Sequence, residues 1–324
     1  MRLGIIGCGL VGRKRANALG PHELVVCADQ QPELAQRLAA EHRGCVAEAA
    51  PEVVLGRPDV DAILVCTSHD CLAPLTLAAI EAGKHVLVEK PAARTAEELE
   101  PVRAAARQHA RVVKVGFNHR FHPGPRQAHE LFAGGAIGDL LYIRARYGHG
   151  GRLGYETEWR ASKERAGGGE LLDQGSHLID LARWFAGDFS EVTGHVATYF
   201  WPMPVEDNAF LSLRTAAGAT AWLHASWTEW KNLFSFEVFG RTGKLQVEGL
   251  GGSYGPERLT WYRMLPEMGP PDITVYEYPP EDHSWGLELE EFVRAVDQGR
   301  QPCGNLDDAA AVLAVAAKLY EGRG

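Results

Sequence analysis

The stretch that decides the fold reads Leu3-Gly4-Ile5-Ile6-Gly7-Cys8-Gly9-Leu10-Val11-Gly12-Arg13-Lys14-Arg15 and stands at the start of the chain. Its apolar first part predicts a strand, and the G-x-G-x-x-G spacing predicts a tight turn that leads into a helix. In such a turn Gly7 makes the bend, Gly9 lets a pyrophosphate approach, and Gly12 lets the helix pack closely on the strand. Free N–H groups at the helix N-terminus then face the phosphates. The stretch therefore predicts a dinucleotide-binding Rossmann unit.

A carboxylate stands about 20 residues beyond the first glycine, where the Rossmann pattern needs one. Asp29 follows a second apolar run at residues 24–28, and at this place it can hold the ribose hydroxyls of NAD. Gln30 and Gln31 follow it rather than a serine and an arginine, which favours NAD over NADP. The basic run at residues 13–15 leaves NADP as the alternative, because a nearby base can accept the 2′-phosphate.

Length and composition are those of a globular protein with two domains. The chain has 324 residues and a net charge of −9, which disfavours nucleic acids and anionic membranes as partners. No apolar run reaches the roughly 18 residues that cross a bilayer, and the first strand begins so early that we expect no signal peptide. The six cysteines show neither a Cys-x-x-Cys pair nor zinc spacing. We therefore expect reduced core cysteines in a cytoplasmic protein that holds no metal.

The first third of the chain alternates strand and helix patterns. Besides the first strand, strands are predicted at residues 24–28, 62–67, 85–89 and 111–117, and helices at 32–42, 73–82 and 95–109. Continuous apolar runs such as 62–67 are typical of parallel strands that are buried on both faces. This alternation predicts an α/β fold with a doubly wound parallel sheet over residues 1–120.

Beyond residue 120 the pattern changes to strands joined by short glycine-containing turns. Strands are predicted at residues 140–147, 191–200, 209–214, 220–227, 234–239, 244–247 and 259–264, and helices at 124–133, 171–185, 285–297 and 306–320. Several of the strands alternate apolar and polar residues, as strands do in an open sheet with one solvated or subunit-facing side. Residues 121–304 are therefore predicted to form an α+β domain with a large, mostly antiparallel open sheet.

Polar side chains follow the carboxyl ends of the predicted parallel strands, where open α/β sheets bind ligands. Lys90 is a catalytic candidate among them, because Pro91 rigidifies its turn and Glu89 can anchor the backbone or pair with the Lys90 ammonium. A solvated turn lysine is the alternative. Cofactor contacts are predicted for a larger set from these strand ends, Gly7, Gly9, Leu10, Val11, Gly12, Asp29, Thr67, Ser68, His69, Glu89, Lys90 and Asn118.

A glycine run at residues 167–169 leads to a carboxylate and an imidazole four residues apart, Asp173 and His177. That spacing predicts that both lie on one face of a helix. A carboxylate beside an imidazole favours its protonated form and fixes its orientation, so His177 is a candidate proton acceptor from an alcohol. The glycine run predicts close approach of the backbone to a ligand. An Asp/His pair on a surface helix is the alternative, and Asp180 alone does not complete a metal site.

A loop rich in aromatic residues and arginine precedes this run. Tyr155, Trp159, Arg152 and Arg160 predict a polar, aromatic sugar pocket in which the arginines hold a carboxylate or phosphate. A plain surface loop is the alternative. Packing in the second sheet or at a subunit interface is expected of four other residues, Trp222, Trp227, Trp230 and His224.

These motifs together resemble the Gfo/Idh/MocA oxidoreductase family, which includes glucose–fructose oxidoreductase and inositol dehydrogenases. The resemblance runs from end to end of the chain, and many relatives have a histidine where Leu72 stands, which leaves contacts from residues 67–72 open. It rests on four motifs, Gly7-x-Gly9-x-x-Gly12, Gly83-Lys84-His85-Val86-x-x-Glu89-Lys90-Pro91, Gly116-Phe117-Asn118-x-Arg120-Phe121-x-Pro123 and Gly168-Gly169-x-x-x-Asp173-x-Gly175-x-His177-x-x-Asp180.

The resemblance implies an NAD(P)-dependent dehydrogenase or reductase that transfers a hydride between nicotinamide and a secondary alcohol of a sugar, nucleotide sugar or cyclitol. It implies that Lys90, Asp173 and His177 surround the substrate. In this hypothesis His177 takes the hydroxyl proton, Asp173 orients His177, and Lys90 hydrogen-bonds the oxygen. The alternative exchanges the roles of His177 and Lys90. The resemblance also implies that the helix over residues 305–324 packs back on the first domain, and that copies form a homodimer or homotetramer through the open sheet.

The charged residues of the loop narrow the class of substrate. The arginines at 152 and 160 favour an anionic or nucleotide-linked sugar, and a free polyol is the alternative. A regulator that binds NAD and a sugar without turnover is a hypothesis of another class, against which the retention of the three catalytic candidates argues. Substrate contacts are predicted for seven residues, Lys90, Arg120, Arg152, Trp159, Arg160, Asp173 and His177.

Overall fold

The structure is a computed structural model that describes residues 1–322, so the last two residues of the helix predicted over 305–324 lie outside the described residues. The chain divides by its contacts into two compact units. The first contains Met1–Phe117 and Trp285–Ala310, and the second contains Asn118–Ser284 and the described residues from Ala311 onward.

The first unit contains a six-stranded sheet in which every neighbouring pair is parallel. Its strands are β1 (Arg2–Ile6), β2 (Glu23–Ala28), β3 (Val46–Glu48), β4 (Ala62–Val65), β5 (His85–Val88) and β6 (Val113–Val115). The order across the sheet is β3-β2-β1-β4-β5-β6. This is the Rossmann order, which reverses between β1 and β4 and places a ligand crevice beyond their carboxyl ends. The predicted doubly wound sheet is confirmed.

Five helices connect these strands, α1 (Leu10–Asn17), α2 (Pro32–Glu41), α3 (Pro51–Leu55), α4 (His69–Glu81) and α5 (Ala96–Gln108). The strands are apolar because they are buried on both faces, and Leu3, Ile5, Leu64 and Leu87 are fully inaccessible. Each such side chain contributes about 1.5–3 kcal/mol to folding through burial. The Thr95 side chain caps α5 by accepting the N–H of Glu98.

The second unit contains an eight-stranded sheet. Its strands are β7 (Leu140–Gly148), β8 (Phe189–Ala197), β9 (Asn208–Thr215), β10 (Thr220–Ser226), β11 (Leu233–Gly240), β12 (Gly243–Glu248), β13 (Arg258–Arg263) and β14 (Asp272–Glu277), in the order β14-β13-β12-β11-β7-β10-β9-β8. Only β7 and β10 pair in parallel. Buried and accessible residues alternate along β10, where Leu223 is buried and Trp222 is 61% exposed. The predicted open, mostly antiparallel sheet is confirmed.

Four helices accompany this sheet, α6 (Pro123–Ala133), α7 (Lys163–Ala166), α8 (Glu170–Asp173) and α9 (Gly175–Ala186). The prediction of one helix over 171–185 was wrong at its first turn, because Gln174 separates α8 from α9. The N–H of His177 bonds to the Gln174 carbonyl three residues back, and the Ser176 hydroxyl donates to the Asp173 carbonyl. Local bonds thus replace part of the α-helical ladder next to Gly175, a poor helix former.

Two further helices are α10 (Ser284–Gln298) and α11 (Leu306–Glu321). Residues 285–304 were expected in the second domain, but the contacts place Trp285–Ala310 in the first unit. The reason is Glu288 on α10, which is fully buried and pairs with Arg15 and Lys114. Only the first turn of α11 belongs to the first unit. Near its end, the Tyr320 hydroxyl donates to Glu206 Oε1 in the second unit at 2.6 Å.

All six cysteines are free thiols, in line with the expected reduced state. Within residues 1–322, no helix combines the length and the hydrophobicity that a membrane-spanning helix requires.

Candidate active site

The glycine turn joins β1 to α1 in a geometry that side chains would disturb. Gly7 has a φ of +96°, and a Cβ atom there would lie 2.4 Å from the Cys66 carbonyl oxygen. A Cβ at Gly12 would lie 2.0 Å from the Gly7 carbonyl oxygen, whereas a Cβ at Gly9 would meet nothing within 4 Å. Gly7 and Gly12 are therefore required by the fold itself, while Gly9 borders open space that suits a pyrophosphate. Leu10, the first residue of α1, is 76% exposed beside this space.

Asp29 is bonded to the same turn. Its Oδ2 accepts the N–H of Cys8 at 2.7 Å, and its Oδ1 accepts the N–H of Gln31 at 2.9 Å. These bonds fix the carboxylate at the carboxyl end of β2. Each oxygen keeps a further lone pair, so the residue suits the ribose hydroxyls of a dinucleotide.

Arg13 and Arg15, from the basic run after the turn, form ion pairs within the protein. Arg15 is buried, donates to Glu89 Oε1 at 2.8 Å and to Glu288 Oε2 at 2.5 Å, and stacks on Trp285. Burial lowers the pKa of Arg15, but Glu89 and Glu288 outweigh it and raise the pKa overall. Arg13 pairs with Glu41 at 2.8 Å. Arg15 is thus unavailable to a 2′-phosphate, which favours NAD over NADP.

The polar ends of β4 and β5 lie at the same edge of the sheet as the glycine turn. Thr67 and Ser68 follow β4, and Ser68 precedes α4, whose first residue, His69, is buried. Glu89 is 8% exposed and pairs with the buried Arg15 side chain. Lys90 follows, half-buried, and its bond to Pro91 is cis. This arrangement ties the lysine to the helix that follows the glycine turn.

In the second unit, Asp173 ends α8 and His177 lies in the first turn of α9. The two residues therefore meet at a junction of two helices and not on one helix face. His177 is 6% exposed, and its ring stacks on that of His119, with centroids 3.7 Å apart and an angle of 20° between the planes. His119 was not predicted to be a site residue, although its segment was singled out.

The glycine run before this junction serves packing within the chain. A Cβ at Gly168 would lie 2.0 Å from the Tyr320 hydroxyl, and a Cβ at Gly169 would lie 2.0 Å from the Glu206 carbonyl oxygen. Neighbouring protein atoms thus require glycine at both positions, and close approach of this backbone to a ligand stays a prediction.

Two tyrosines that were not predicted to be site residues belong to this aromatic cluster, Tyr147, which is buried, and Tyr254, which is partly exposed. The Tyr147 ring lies 5.1 Å from the His119 ring and 5.1 Å from the Tyr254 ring, and Gln174 Nε2 donates to the Tyr254 hydroxyl at 2.8 Å. Burial raises the pKa of Tyr147 well above its ordinary value and that of Tyr254 to about 12. Both remain neutral hydroxyl groups at physiological pH. The sequence signal for Tyr147 was its place on the buried face of the alternating strand β7, whereas Tyr254 lies in the 3-10 turn Gly252–Tyr254 and carries no such signal.

Arg120 and Asn118 make contacts within the second unit. Arg120 is 5% exposed and forms a bidentate pair with Asp180, Nε to Oδ2 at 2.8 Å and Nη2 to Oδ1 at 2.5 Å. Asn118 Nδ2 donates to the Ser284 hydroxyl at 3.0 Å. The Arg120–Asp180 pair fastens the 3-10 turn Asn118–Phe121 to α9, and the Asn118 bond fastens it to Ser284. Contact of Arg120 with a substrate and of Asn118 with a cofactor stays a prediction.

The arginine-rich loop is balanced in charge. The Arg152 guanidinium pairs with Glu158 at 2.6 Å, and Arg160 lies 3.9 Å from Glu158 and 3.4 Å from Asp173 Oδ2. Arg160 also stacks on Trp159, at 4.5 Å from the ring centroid. Two carboxylates thus neutralise the two arginines that were predicted to hold an anion.

The remaining aromatic residues are divided between core and surface. Tyr155 is 2% exposed and packs against Trp201 and Trp227, so it belongs to the core and does not line a pocket. Trp222 and Trp230 are exposed, and His224 Nε2 lies 2.9 Å from Asn208 Oδ1. In the part of the chain that the structure describes, no three His, Cys, Asp or Glu side chains are grouped to hold a metal ion.

The comparisons with known proteins identify the family. Residues 1–117 match the family described as "Oxidoreductase family, NAD-binding Rossmann fold", and residues 126–246 match the "GFO/IDH/MocA C-terminal domain". The chain therefore belongs to the Gfo/Idh/MocA oxidoreductases, with an NAD-binding Rossmann domain. The predicted family, fold class and cofactor are confirmed.

Named relatives support the assignment. Levoglucosan dehydrogenase of Pseudarthrobacter phenanthrenivorans is 30% identical over 231 residues, which cover 67% of this chain and 59% of that protein. The 1,5-anhydro-D-fructose reductase of Ensifer adhaerens is 32% identical over 251 residues, 75% of this chain and 74% of that protein. A solved levoglucosan dehydrogenase in complex with NADH is 24% identical and shares the fold with a TM-score of 0.90, over 99% of this chain and 96% of that one.

Proposed function

We propose that this oxidoreductase transfers a hydride between NAD and a secondary alcohol of an uncharged sugar or cyclitol. The observation that carries the proposal is the buried pair between Arg15 and Glu89. Arg15 lies on the helix after the glycine turn, and Glu89 immediately precedes Lys90. The pair therefore fixes a lysine ammonium and the pyrophosphate-binding turn at the same edge of one parallel sheet, where a nicotinamide and its substrate bind in this fold.

The chemistry is divided among three side chains in this proposal. Lys90 hydrogen-bonds the substrate oxygen and favours its alkoxide character. His177 accepts the hydroxyl proton, and Asp173 orients it; in the reverse direction the same groups return the proton to the reduced carbonyl. The nicotinamide, when bound, supplies or accepts the hydride at C4. Tyr147, whose ring centroid lies 6.3 Å from that of His177, and Tyr254, which packs against Tyr147, are neutral and bind substrate hydroxyls in this proposal.

An uncharged substrate is favoured by the charges of the loop. The positive charges of Arg152 and Arg160 are met by Glu158 and Asp173 within the protein. An anionic sugar would have to displace those carboxylates, at a cost in desolvation and lost ion pairs. The relatives named above act on levoglucosan and 1,5-anhydro-D-fructose, which are both uncharged.

The test is a steady-state assay of NADH absorbance with paired sugars. Levoglucosan, myo-inositol and D-glucose serve as neutral substrates with NAD, and D-glucose 6-phosphate is the charged match to D-glucose. We expect turnover with a neutral compound and a much weaker response with its phosphate. The Lys90→Met variant should lose activity by about a hundredfold or more while it still binds NADH. Lys163→Met, an exposed lysine on α7, is the control.

A negative result has a defined meaning. If the unmodified protein binds NADH but turns over none of these compounds, and Lys90→Met binds NADH equally well, a non-catalytic regulator that senses NAD is the better account. Turnover confined to the phosphate would keep the dehydrogenase and overturn the uncharged substrate.

We also propose a homodimer or homotetramer in the cytoplasm. The support is the outward face of the eight-stranded sheet, which exposes Tyr142, Trp222, Ile273 and Val275. Free thiols agree with a reducing compartment. Light scattering after size exclusion measures the mass, and Trp222→Asp should release monomers.

A further inference from the structure

Two histidine rings lie face to face in the second unit. His119 and His177 stack with centroids 3.7 Å apart, and the two residues are 5% and 6% exposed. We propose that His119 is a positioning residue for His177. Its ring holds the His177 ring in place and keeps it uncharged, ready to accept a proton, at pH values where an isolated imidazole would be protonated. This inference rests on the role proposed above for His177.

A chain of hydrogen bonds, in which the donor and acceptor of each bond can be assigned, fixes the orientation of His119. The Ser284 hydroxyl donates to Asp282 Oδ1 at 2.5 Å and therefore accepts from Asn118 Nδ2 at 3.0 Å. The Asn118 amide is thereby oriented with its Oδ1 toward His119 Nδ1, at 3.2 Å. Because an amide oxygen can only accept, His119 carries a proton on Nδ1. Its Nε2 is then the atom that takes up a second proton.

The stacking distance limits the pair to one added proton. Two imidazolium rings at 3.7 Å would repel strongly, because both are buried where water screens little. Such a pair titrates as a unit, in two separated steps. When His119 holds the first proton, His177 stays neutral. Because of the pair, His177 stays neutral down to a lower pH than it would alone.

Other charged groups near the two rings also affect whether His177 is protonated. The Asp173 carboxylate at the end of α8 favours a charged imidazole. Its effect on His177 is therefore opposite to that of His119. His122, 5.6 Å from His119 between ring centroids, has its Nδ1 3.0 Å from Glu257 Oε2. Tyr147 from β7 and Phe234 from β11 also pack near the two rings, and the buried Glu170 carboxylate on α8 lies near enough to Tyr147 to raise the pKa of its hydroxyl.

A second stacked histidine shows what distinguishes the pair. His129 stacks on Trp184 with centroids 3.8 Å apart, so its neighbouring ring cannot gain a proton. At that position an imidazole packs against a ring that does not titrate, so stacking by itself does not require two histidines. His119 and His177, by contrast, are two imidazoles stacked face to face, so either ring can gain a proton.

The experiment is a pH titration of the full chain by NMR with histidine labelled at 13Cε1. The His177 signal is assigned from the His177→Asn spectrum, and no substrate is needed. In the unmodified protein we expect the His177 signal to titrate in two steps. In His119→Phe, which keeps a stacked ring without a titratable group, we expect a single step with a midpoint higher by about one pH unit. His129→Phe is the control and should leave the His177 curve unchanged.

Coincident His177 curves in the unmodified protein and in His119→Phe would overturn the inference. If His119→Phe fails to fold, as judged by circular dichroism, His119→Gln replaces it. The glutamine amide can still donate to Asn118 and does not titrate, so the same single-step His177 titration is expected. The kcat/KM profile of an active substrate should show the same shift on its acid side. If no sugar is turned over, the proposed function fails while the NMR titration still decides this inference.

Discussion

Arg160 Nε lies 3.4 Å from Asp173 Oδ2, and through this contact the arginine-rich loop reaches the helix junction that carries His177. Arg160 is at the same time stacked on Trp159 and within 3.9 Å of Glu158. The guanidinium therefore holds the carboxylate that is proposed to orient the proton acceptor. We therefore predict that Arg160 positions Asp173 and does not anchor an anionic substrate.

Removing this contact should lower activity without lowering cofactor affinity. In Arg160→Met we expect kcat to fall about tenfold, because Asp173 loses a group that fixes its orientation. NADH affinity should stay unchanged in a fluorescence titration. Arg152→Met is the matched control, since its pair with Glu158 is exposed and contributes little. Equal losses in both variants would contradict the positioning role.

Two glycines of the first turn should respond differently to alanine. A Cβ at Gly9 meets no protein atom within 4 Å, whereas a Cβ at Gly12 meets a backbone oxygen at 2.0 Å. Gly9→Ala should therefore unfold at the same temperature without cofactor but bind NADH about tenfold more weakly, a loss of about 1.4 kcal/mol. Gly12→Ala should lose about 1–3 kcal/mol of unfolding free energy. Unaltered NADH binding by Gly9→Ala would show that the pyrophosphate lies elsewhere.

The buried ion network of the first unit should be sensitive to Glu288. Both of its oxygens are engaged, one with Arg15 and the other with Lys114, and all three side chains are almost inaccessible. Glu288→Ala should lower the free energy of unfolding by about 3–5 kcal/mol, because two buried cations lose a partner. Glu23→Ala, which removes an exposed pair with Arg2, should change it by less than about 1 kcal/mol. Urea unfolding measures both.

Asp207 should make stability depend on pH. It is fully buried and accepts the N–H groups of Tyr199, Phe200 and Trp201. Burial raises its pKa, but these bonds and the Asn208 amide outweigh burial and lower the pKa overall. A lowered folded pKa gives stability that is present above the unfolded value of about 3.9 and is lost as the pH falls through the folded value.

The variant Asp207→Asn checks this direction. The deficit in unfolding free energy of Asp207→Asn relative to the unmodified protein should shrink between pH 7 and pH 3. Asp188→Asn, at an exposed pair with Arg183, should show a small deficit at both pH values. A deficit of Asp207→Asn that grows on acidification would contradict the assignment.

The fold was predictable where pattern and burial coincide. The parallel strands are continuous apolar runs because both faces are buried, and the glycine turn fixes where the first helix begins. The missed elements lack such a pattern. Strand β3 has three residues and an exposed Val46 at the sheet edge, and β14 is exposed along most of its length at the edge of the other sheet.

The roles of Lys90, Asp173 and His177 stay predictions, but their motifs were identifiable from the sequence. The partners of those residues were not, because they come from distant parts of the sequence. Arg15 and Glu89 are 74 residues apart, and His119 is 58 residues before its stacking partner. Arg120 seemed free to bind a substrate until Asp180, 60 residues on, was found to hold it.

The central claim is that one substrate hydroxyl meets both Lys90 and His177. A crystal structure with NADH and a turned-over sugar tests it most directly. The account predicts that Lys90 Nζ and a His177 ring nitrogen each lie about 3 Å from the same sugar oxygen, with the nicotinamide beside its carbon. Side chains that point to separate cavities, or a sugar oxygen in contact with neither, would contradict it.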